Sequence, residues 1–109
     1  MLREIIQKNK EQFLNLCKTH RIKSLFVFGS AANGHFKETS DVDLVVELSE
    51  KDPLHRGELL MSLWDKLEKF FNRKVDLLTD NSIRNPYLRE EIEKTKKIVY
   101  DGSKEEILL

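Results

Sequence analysis

The sequence is poor in the features that mark several common protein classes. Its one cysteine, Cys17, cannot form an internal disulfide, and no cysteine and histidine spacing suggests zinc. No apolar run approaches membrane-spanning length, and the N-terminus is charged within its first four residues. We therefore expect a cytoplasmic protein with no membrane association, in which Cys17 lies on an apolar helical stripe and is a core thiol.

An excess of positive charge is also absent. Lysine plus arginine and aspartate plus glutamate both number 19, so the chain is formally neutral. A protein that grips a phosphate backbone carries a basic excess, so direct nucleic-acid binding is not expected. The 109 residues predict a single domain, 1–109, with one modest core and no separate substrate-binding domain. A large substrate would therefore be shared with, or be, a partner.

The apolar patterns predict a small α/β (α+β) fold in which a mixed sheet is flanked by about four helices. Two signals of a capping residue followed by proline, Asp52-Pro53 and Asn85-Pro86, mark helix starts. A short helix is also expected to begin within 30–34. The main elements are predicted as helices over 2–18, 54–71 and 87–96, with Asn9 interrupting the first, and strands over 25–28, 42–46, 74–78 and 97–100.

Several side chains have a predicted environment. Trp64 falls on the apolar stripe of its helix, which indicates a core residue and not a base-stacking platform. Leu88 and Ile92 are expected to face inward. His20, in the connection before the first strand, is expected at the surface. The C-terminal segment 107–109 is apolar and is expected to pack on the domain or on a partner.

The polar segment between the first two strands is the strongest candidate for a chemical site. Gly29 and Ser30 follow the first strand, and Asp41 and Asp43 begin the second, so antiparallel pairing would bring all four to one sheet edge. Asp41 and Asp43 would project from the same side, roughly 6.5 to 7 Å apart. Gly29 leaves room for a phosphate, and Ser30 offers a hydroxyl and a backbone N–H.

A third carboxylate is expected to join this pair. The helix over 54–71 can return the chain so that the next strand lies parallel to the second, which would bring Asp76 to the same edge. Such carboxylates suit Mg²⁺ or Mn²⁺. Each motif alone is more often a turn, a strand entry or a surface aspartate. Their order raises the specificity, and Asp43 between apolar neighbours costs stability unless something compensates its charge.

Two stretches carry a family resemblance. Phe28-Gly29-Ser30-Ala31-Ala32-Asn33-Gly34, followed by Ser40-Asp41-Val42-Asp43-Leu44, resembles the signature of the DNA polymerase β-type nucleotidyltransferase superfamily. The short chain and the segment Asn85-Pro86-Tyr87-Leu88-Arg89 are similar, more narrowly, to minimal nucleotidyltransferases of the MntA type. Those proteins are antitoxins that work with HEPN-domain toxins. The resemblance extends from the first helix to about Tyr100.

The resemblance implies a nucleotidyltransferase fold and a Mg²⁺-dependent (or Mn²⁺-dependent) transfer of AMP from ATP to a tyrosine hydroxyl. The acceptor would be a HEPN-domain toxin, held in a hetero-oligomer and silenced by the modification. Asp41, Asp43 and Asp76 would be the catalytic metal ligands, and Gly29 and Ser30 would bind phosphates. The sequence departs from the family pattern where arginine is common, at Asn33, and the lost charge is expected to affect nucleotide binding.

Other functions stay open on the sequence alone. The chain could be a binding module, an antitoxin that masks its toxin by contact. Transfer to a small molecule, as in aminoglycoside nucleotidyltransferases, ranks lower because no second domain holds the acceptor. A haloacid-dehalogenase-type phosphatase is poorly supported, because its nucleophilic aspartate would follow the first strand directly. Lys23, His35 and Lys37 could contact nucleotide, although solvated loop charges are the more common case.

Overall fold

A computed structural model describes residues 2–32, 34, 37 and 39–109. Within these residues, apolar side chains at helical spacing form four α-helices, and runs of β-branched and aromatic residues form five strands. The helices are α1 (Leu2–Lys8), α2 (Lys10–Thr19), α3 (Pro53–Phe71) and α4 (Pro86–Thr95). The strands are β1 (Ile22–Phe28), β2 (Val42–Leu48), β3 (Val75–Thr79), β4 (Lys97–Asp101) and β5 (Glu106–Ile107). The predicted mixed α/β fold is confirmed.

The strands form one mixed sheet in the order β3-β2-β1-β4-β5. β1 pairs antiparallel with both β2 and β4, and β4 pairs antiparallel with β5. β2 and β3 pair in parallel, and α3 makes the crossover between them. This is the return that the sequence predicts, and it brings the starts of β2 and β3 to one edge. β5 lies in the segment expected to pack on the domain, and Ile107 and Leu109 do pack against the core.

The core lies between the sheet and helices α1, α2 and α3. Along β2 every second side chain, from Val42 to Leu48, is buried, whereas Asp43 and Val45 between them are only half-buried. Phe13 of α2 packs against the rings of Phe70 and Phe71 of α3, at centroid distances of 5.2 and 6.2 Å. Cys17 is fully buried, as expected, and burial raises the pKa of its thiol to about 12.

A second, smaller cluster lies on the other face of the sheet. Phe28 of β1 packs there with Ile83 and with Ile92 of α4. The inward orientation of Ile92 is therefore confirmed. The same prediction for Leu88 is wrong, because Leu88 is 40% exposed.

The first helix is split in two at Asn9. Its side chain donates to the carbonyl of Ile5, and its backbone carbonyl accepts from the N–H of Phe13. An asparagine side chain competes with the helical backbone in this way, which explains why the predicted single helix is interrupted.

Two predicted environments are wrong. His20 is buried: its Nδ1 donates to the carbonyl of Leu16 at 2.8 Å, and its Nε2 lies 2.9 Å from the hydroxyl of Ser62. Two polar partners compensate the burial. Trp64 is 42% exposed and lies beside the sheet edge, where its Nε1 donates to the carbonyl of Val75. No helix within the described residues is long and apolar enough to cross a membrane.

The two capping signals give a matched test of helix stability. The Asn85 side chain accepts from the N–H groups of Tyr87 and Leu88, whereas Asp52 makes no capping bond to α3. We expect Asn85→Ala to lower the free energy of unfolding by about 1 kcal/mol, because two N–H groups lose their acceptor. Asp52→Ala should change it by less than about 0.5 kcal/mol. Urea denaturation of both variants measures the difference, and equal losses would contradict the capping assignment.

Candidate active site

Asp43 and Asp76 are brought together by the parallel pairing of β2 and β3. They occupy the same register position, and both are half-buried on the sheet face opposite the one where Leu44 and Leu77 are buried. Their carboxyl groups lie side by side, close enough for Asp76 to raise the pKa of Asp43. Two ionised carboxylates at this separation repel each other, so the neighbouring charge of Asp76 disfavours ionisation of Asp43.

The environment of Asp43 makes ionisation costly. Burial is the largest cause, followed by the charge of Asp76, its hydrogen bond, and the charge of Asp41, and together they raise the pKa of the Asp43 carboxyl to about 6. Asp43 therefore titrates closer to neutral pH than an ordinary aspartate. A cation at this point would favour the ionised form.

Asp41 is close enough to this pair to affect the pKa of Asp43, but it does not form a metal-binding group with Asp43 and Asp76. It lies in the segment before β2 and is exposed, yet its charge reaches Asp43. Within the described residues, no three His, Cys, Asp or Glu side chains form a group that could already hold a metal ion. The structure therefore shows an Asp43–Asp76 pair with a third carboxylate beside it.

Gly29 closes the other side of the site. It begins a short 3₁₀ turn, Gly29–Ala31, directly after β1, and β1 ends opposite the start of β2 because Phe28 pairs with Asp43. Gly29 has a φ of +68°, and a Cβ there would lie 2.6 Å from Oδ2 of Asp43. A side chain is excluded by both conformation and space, so the backbone can approach the carboxylates.

Ser30 follows within the same turn and is partly buried. The backbone N–H of Ser30 lies at the start of the 3₁₀ turn, where no carbonyl of the same turn can accept from it. The N–H and the hydroxyl of Ser30 are therefore both available to an oxygen-rich ligand. The groups at this site are carboxylate and hydroxyl oxygens, which can bind a metal ion, and backbone N–H groups, which can donate hydrogen bonds. That chemistry fits a divalent cation together with a phosphate.

The turn before Asp41 has an anchor that sequence reasoning missed. Arg73 Nη1 donates to the carbonyl of Lys37 at 3.0 Å, and the same carbonyl accepts from the N–H of Ser40. Arg73 thus connects the end of α3 to the turn that leads into Asp41. Its sequence signal was weak, since a lone arginine just before a strand is usually a surface charge.

The sequence offers four other residues as candidate nucleotide contacts: Lys23, Asn33, His35 and Lys37. Lys23 is exposed and pairs with Glu47, and Lys37 is exposed. Asn33 and His35 lie outside the described residues.

Three comparisons with known proteins identify the family and the fold. Residues 11–105 match the family model described as polymerase beta, nucleotidyltransferase. A protein of Methanocaldococcus jannaschii named protein adenylyltransferase is 40% identical over 92 residues, which cover 84% of this chain and 88% of the relative.

Solved structures share the fold. A toxin–antitoxin complex with AMP-PNP aligns with a TM-score of 0.62 at 23% identity, covering 85% of this chain and 73% of the other. A complex of a tri-AMPylated Shewanella oneidensis HEPN toxin with its MNT antitoxin aligns with a TM-score of 0.52 at 21% identity, covering 90% and 74%. At these identities the likeness is one of architecture.

Substitution of Gly29 tests the close approach to Asp43. In Gly29→Ala the positive φ and the clash with the carboxylate should together lower the free energy of unfolding by at least about 2 kcal/mol. Gly34 is the matched control, because its φ is +84° but nothing lies within 4 Å of a Cβ. Gly34→Ala should cost only about 1 kcal/mol, from the backbone alone. Thermal and urea unfolding of both variants measures this, and equal costs would contradict the contact.

The pKa of Asp43 predicts a pH-dependent stability. The folded value of about 6 exceeds the ordinary value of 3.8, so the folded state binds more protons in between and loses stability as pH rises. Asp43→Asn removes that loss. In chelator-treated protein, its Tm relative to wild type should rise from about pH 4 to about pH 7.

The exposed carboxylate of Asp65, in α3, supplies the control for this titration. Asp65→Asn makes the same carboxylate-to-amide change at a side chain that is 63% exposed and paired with Lys69, and it should not reproduce the rise expected for Asp43→Asn. A flat difference for Asp43→Asn would contradict the assigned pKa.

Proposed function

Because the chain belongs to the polymerase β-type nucleotidyltransferase family, we propose that it transfers AMP from ATP to a tyrosine hydroxyl of a HEPN-domain toxin and so acts as an antitoxin. The observation that carries the proposal is the Asp43–Asp76 pair beside Gly29, with Asp41 close enough to affect its ionisation. The 40% identical relative named protein adenylyltransferase supports the reaction, and the HEPN complex of the structural neighbour supports the acceptor.

Asp41, Asp43 and Asp76 would hold Mg²⁺, or Mn²⁺ in its place. The fit rests on the donor set, which is entirely carboxylate oxygen, and on the mutual repulsion of Asp43 and Asp76, which a cation relieves. When bound, the ion would neutralise phosphate charge and orient the pyrophosphate leaving group. We expect Asp41 to complete this ligand set on cation binding.

Gly29 and Ser30 would bind the β- and γ-phosphates. The missing side chain at Gly29 lets the backbone reach the phosphate oxygens, and the hydroxyl and N–H of Ser30 would donate to them. These contacts would fix the α-phosphate next to the carboxylates. Positioning of this kind accounts for a large part of the rate enhancement in phosphoryl-group chemistry.

The proposed reaction is a displacement at the α-phosphorus. The acceptor hydroxyl oxygen forms a bond to it, the bond to the oxygen bridging the α- and β-phosphates breaks, and pyrophosphate leaves. Asp76, which lies beside Asp43 in the parallel register, would either hold a second metal ion or accept the hydroxyl proton. The proposed activity would be cytoplasmic, because ATP is available there, and a single domain, 1–109, would carry it.

Label transfer tests the proposed reaction directly. The chain is incubated with α-labelled ATP, Mg²⁺ and a HEPN-domain protein from the same organism, and labelled tyrosine is identified by mass spectrometry. Asp41→Asn combined with Asp43→Asn should reduce transfer at least about a hundredfold, because several kcal/mol of charge stabilisation is lost. Asp65→Asn, which removes an exposed carboxylate elsewhere, should transfer normally.

Normal labelling by the double variant would contradict the roles of Asp41 and Asp43. If the double variant neutralises the toxin fully and wild type leaves no modification, the chain is an antitoxin that acts by contact.

A further inference from the structure

β3 is an edge strand, and its outward backbone groups determine what can bind beside it. The N–H of Val42 in β2 donates to the carbonyl of Lys74. In a parallel ladder the backbone N–H and carbonyl groups of successive residues point alternately toward and away from the neighbouring strand. Those of Asp76 and Leu78 therefore also point toward β2, and those of Val75, Leu77 and Thr79 point away from the sheet. Such unpaired groups are a template for another chain unless they are covered.

The first outward residue, Val75, is covered by two side chains of α3. Nε1 of Trp64 donates to the carbonyl of Val75 at 2.6 Å, and the N–H of Val75 donates to Oε2 of Glu68 at 3.0 Å. Both backbone groups of Val75 are therefore satisfied, and a strand added at this point would have to displace both side chains.

The last outward residue, Thr79, is covered as well. Its N–H donates to the hydroxyl of Ser82 at 3.1 Å, and the same hydroxyl donates to its carbonyl at 2.8 Å. Between these two closed positions, the outward N–H and carbonyl of Leu77 have no hydrogen-bond partner among the residues that the structure describes. One donor and one acceptor are thus left open on an otherwise closed edge.

An apolar groove of about 520 Å³ lies over this opening, between α3 and β3. We call it the α3–β3 groove. Three large apolar side chains on its α3 side are exposed: Leu54 by 70%, Met61 by 76% and Trp64 by 42%. Contiguous exposed apolar surface of this kind marks an interaction site.

Gly57 also lines the α3–β3 groove, and no contact among the described residues requires a glycine there. It lies inside α3, its φ is outside the left-handed region, and no atom lies within 4 Å of a Cβ built on it. A glycine inside a helix costs roughly 0.5 to 1 kcal/mol relative to alanine. The missing side chain leaves the groove open for an occupant.

We propose that the α3–β3 groove docks an extended segment of the acceptor protein, an inference that rests on the proposed function. One residue of that segment pairs its backbone with Leu77, and its apolar neighbours contact Met61 and Trp64. A peptide backbone in extended form supplies the donor and the acceptor that Leu77 needs. A helix has already used its own backbone groups, and a complete strand from a second copy meets the closed positions at Val75 and Thr79.

The position of the groove suits this occupant. Leu77 directly follows Asp76 in the edge strand β3, and its side chain lies on the opposite sheet face. A segment held at the Leu77 backbone is therefore separated from the carboxylate pair only by the edge of the sheet. The partner would be gripped close to the site that modifies it.

Two substitutions block the α3–β3 groove without touching the carboxylates. Gly57→Arg places a long side chain where only solvent lies, and Met61→Lys places a charge at a site that is 76% exposed. Neither should reduce folding stability, because both residues are on the outer face of α3. His55→Arg adds an arginine to the same helix outside the groove lining and is the matched control.

Binding of a HEPN-domain protein from the same organism is measured by titration calorimetry. The Gly57→Arg, Met61→Lys double variant should bind at least about tenfold more weakly than wild type, because apolar contacts at the centre of the interface are lost. His55→Arg should bind as wild type does. The Asp41→Asn, Asp43→Asn variant should also bind as wild type does, so a failure of transfer is separated from a failure of docking.

Amide hydrogen exchange measured by NMR tests the backbone pairing at Leu77 separately from the apolar contacts. In the free protein, the Leu77 amide should exchange faster than those of Asp76 and Leu78, and the partner should slow its exchange at least about tenfold. Unchanged affinity of the groove variant, an unprotected Leu77 amide in the complex, or no binding by wild type would each overturn the proposal. So would a wild-type homodimer that Gly57→Arg makes monomeric, since a second copy would then cover the groove.

Discussion

The parallel register of β2 against β3 is the constraint on which the rest of the structure depends. It places Asp43 directly beside Asp76, two acidic groups that would separate if the chain allowed it. The crossover helix α3 holds this register, because its buried face packs on the same strands whose alternate residues carry the acids. The apolar core therefore keeps two like charges together, and the repulsion between them favours binding of a cation.

The site is completed from both ends of the loop that joins β1 to β2. Gly29 lies against the carboxylate of Asp43 at one end, and the turn from Lys37 to Ser40, held by Arg73, leads into Asp41 at the other. The first contact depends on the absence of a side chain, and the second on a single hydrogen-bonded arginine. A small domain thus gathers acids from two strands beside the turn that begins at Gly29.

Much of this was readable from the sequence, because the signals were local. Alternation along 42–46 and the return made by the following helix predict that Asp43 and Asp76 share an edge, and the Asn85-Pro86 signal predicts the start of α4. What failed depended on tertiary contacts. Trp64 has the spacing of a core residue, yet it lies at the sheet edge because the carbonyl of Val75 offers it an acceptor. His20 is buried because Ser62, 42 residues away, offers it a partner.

The most direct test of the account is whether the carboxylate pair binds a divalent cation and releases protons as it does so. Mg²⁺ is titrated calorimetrically into the chain near pH 6, in two buffers with different ionisation enthalpies, and the same titration is made with Asp76→Asn. Because the pKa of Asp43 is about 6, wild type should release a fraction of a proton for each ion bound, and the variant should bind much more weakly. Binding with no proton release, or equal binding by the variant, would contradict it.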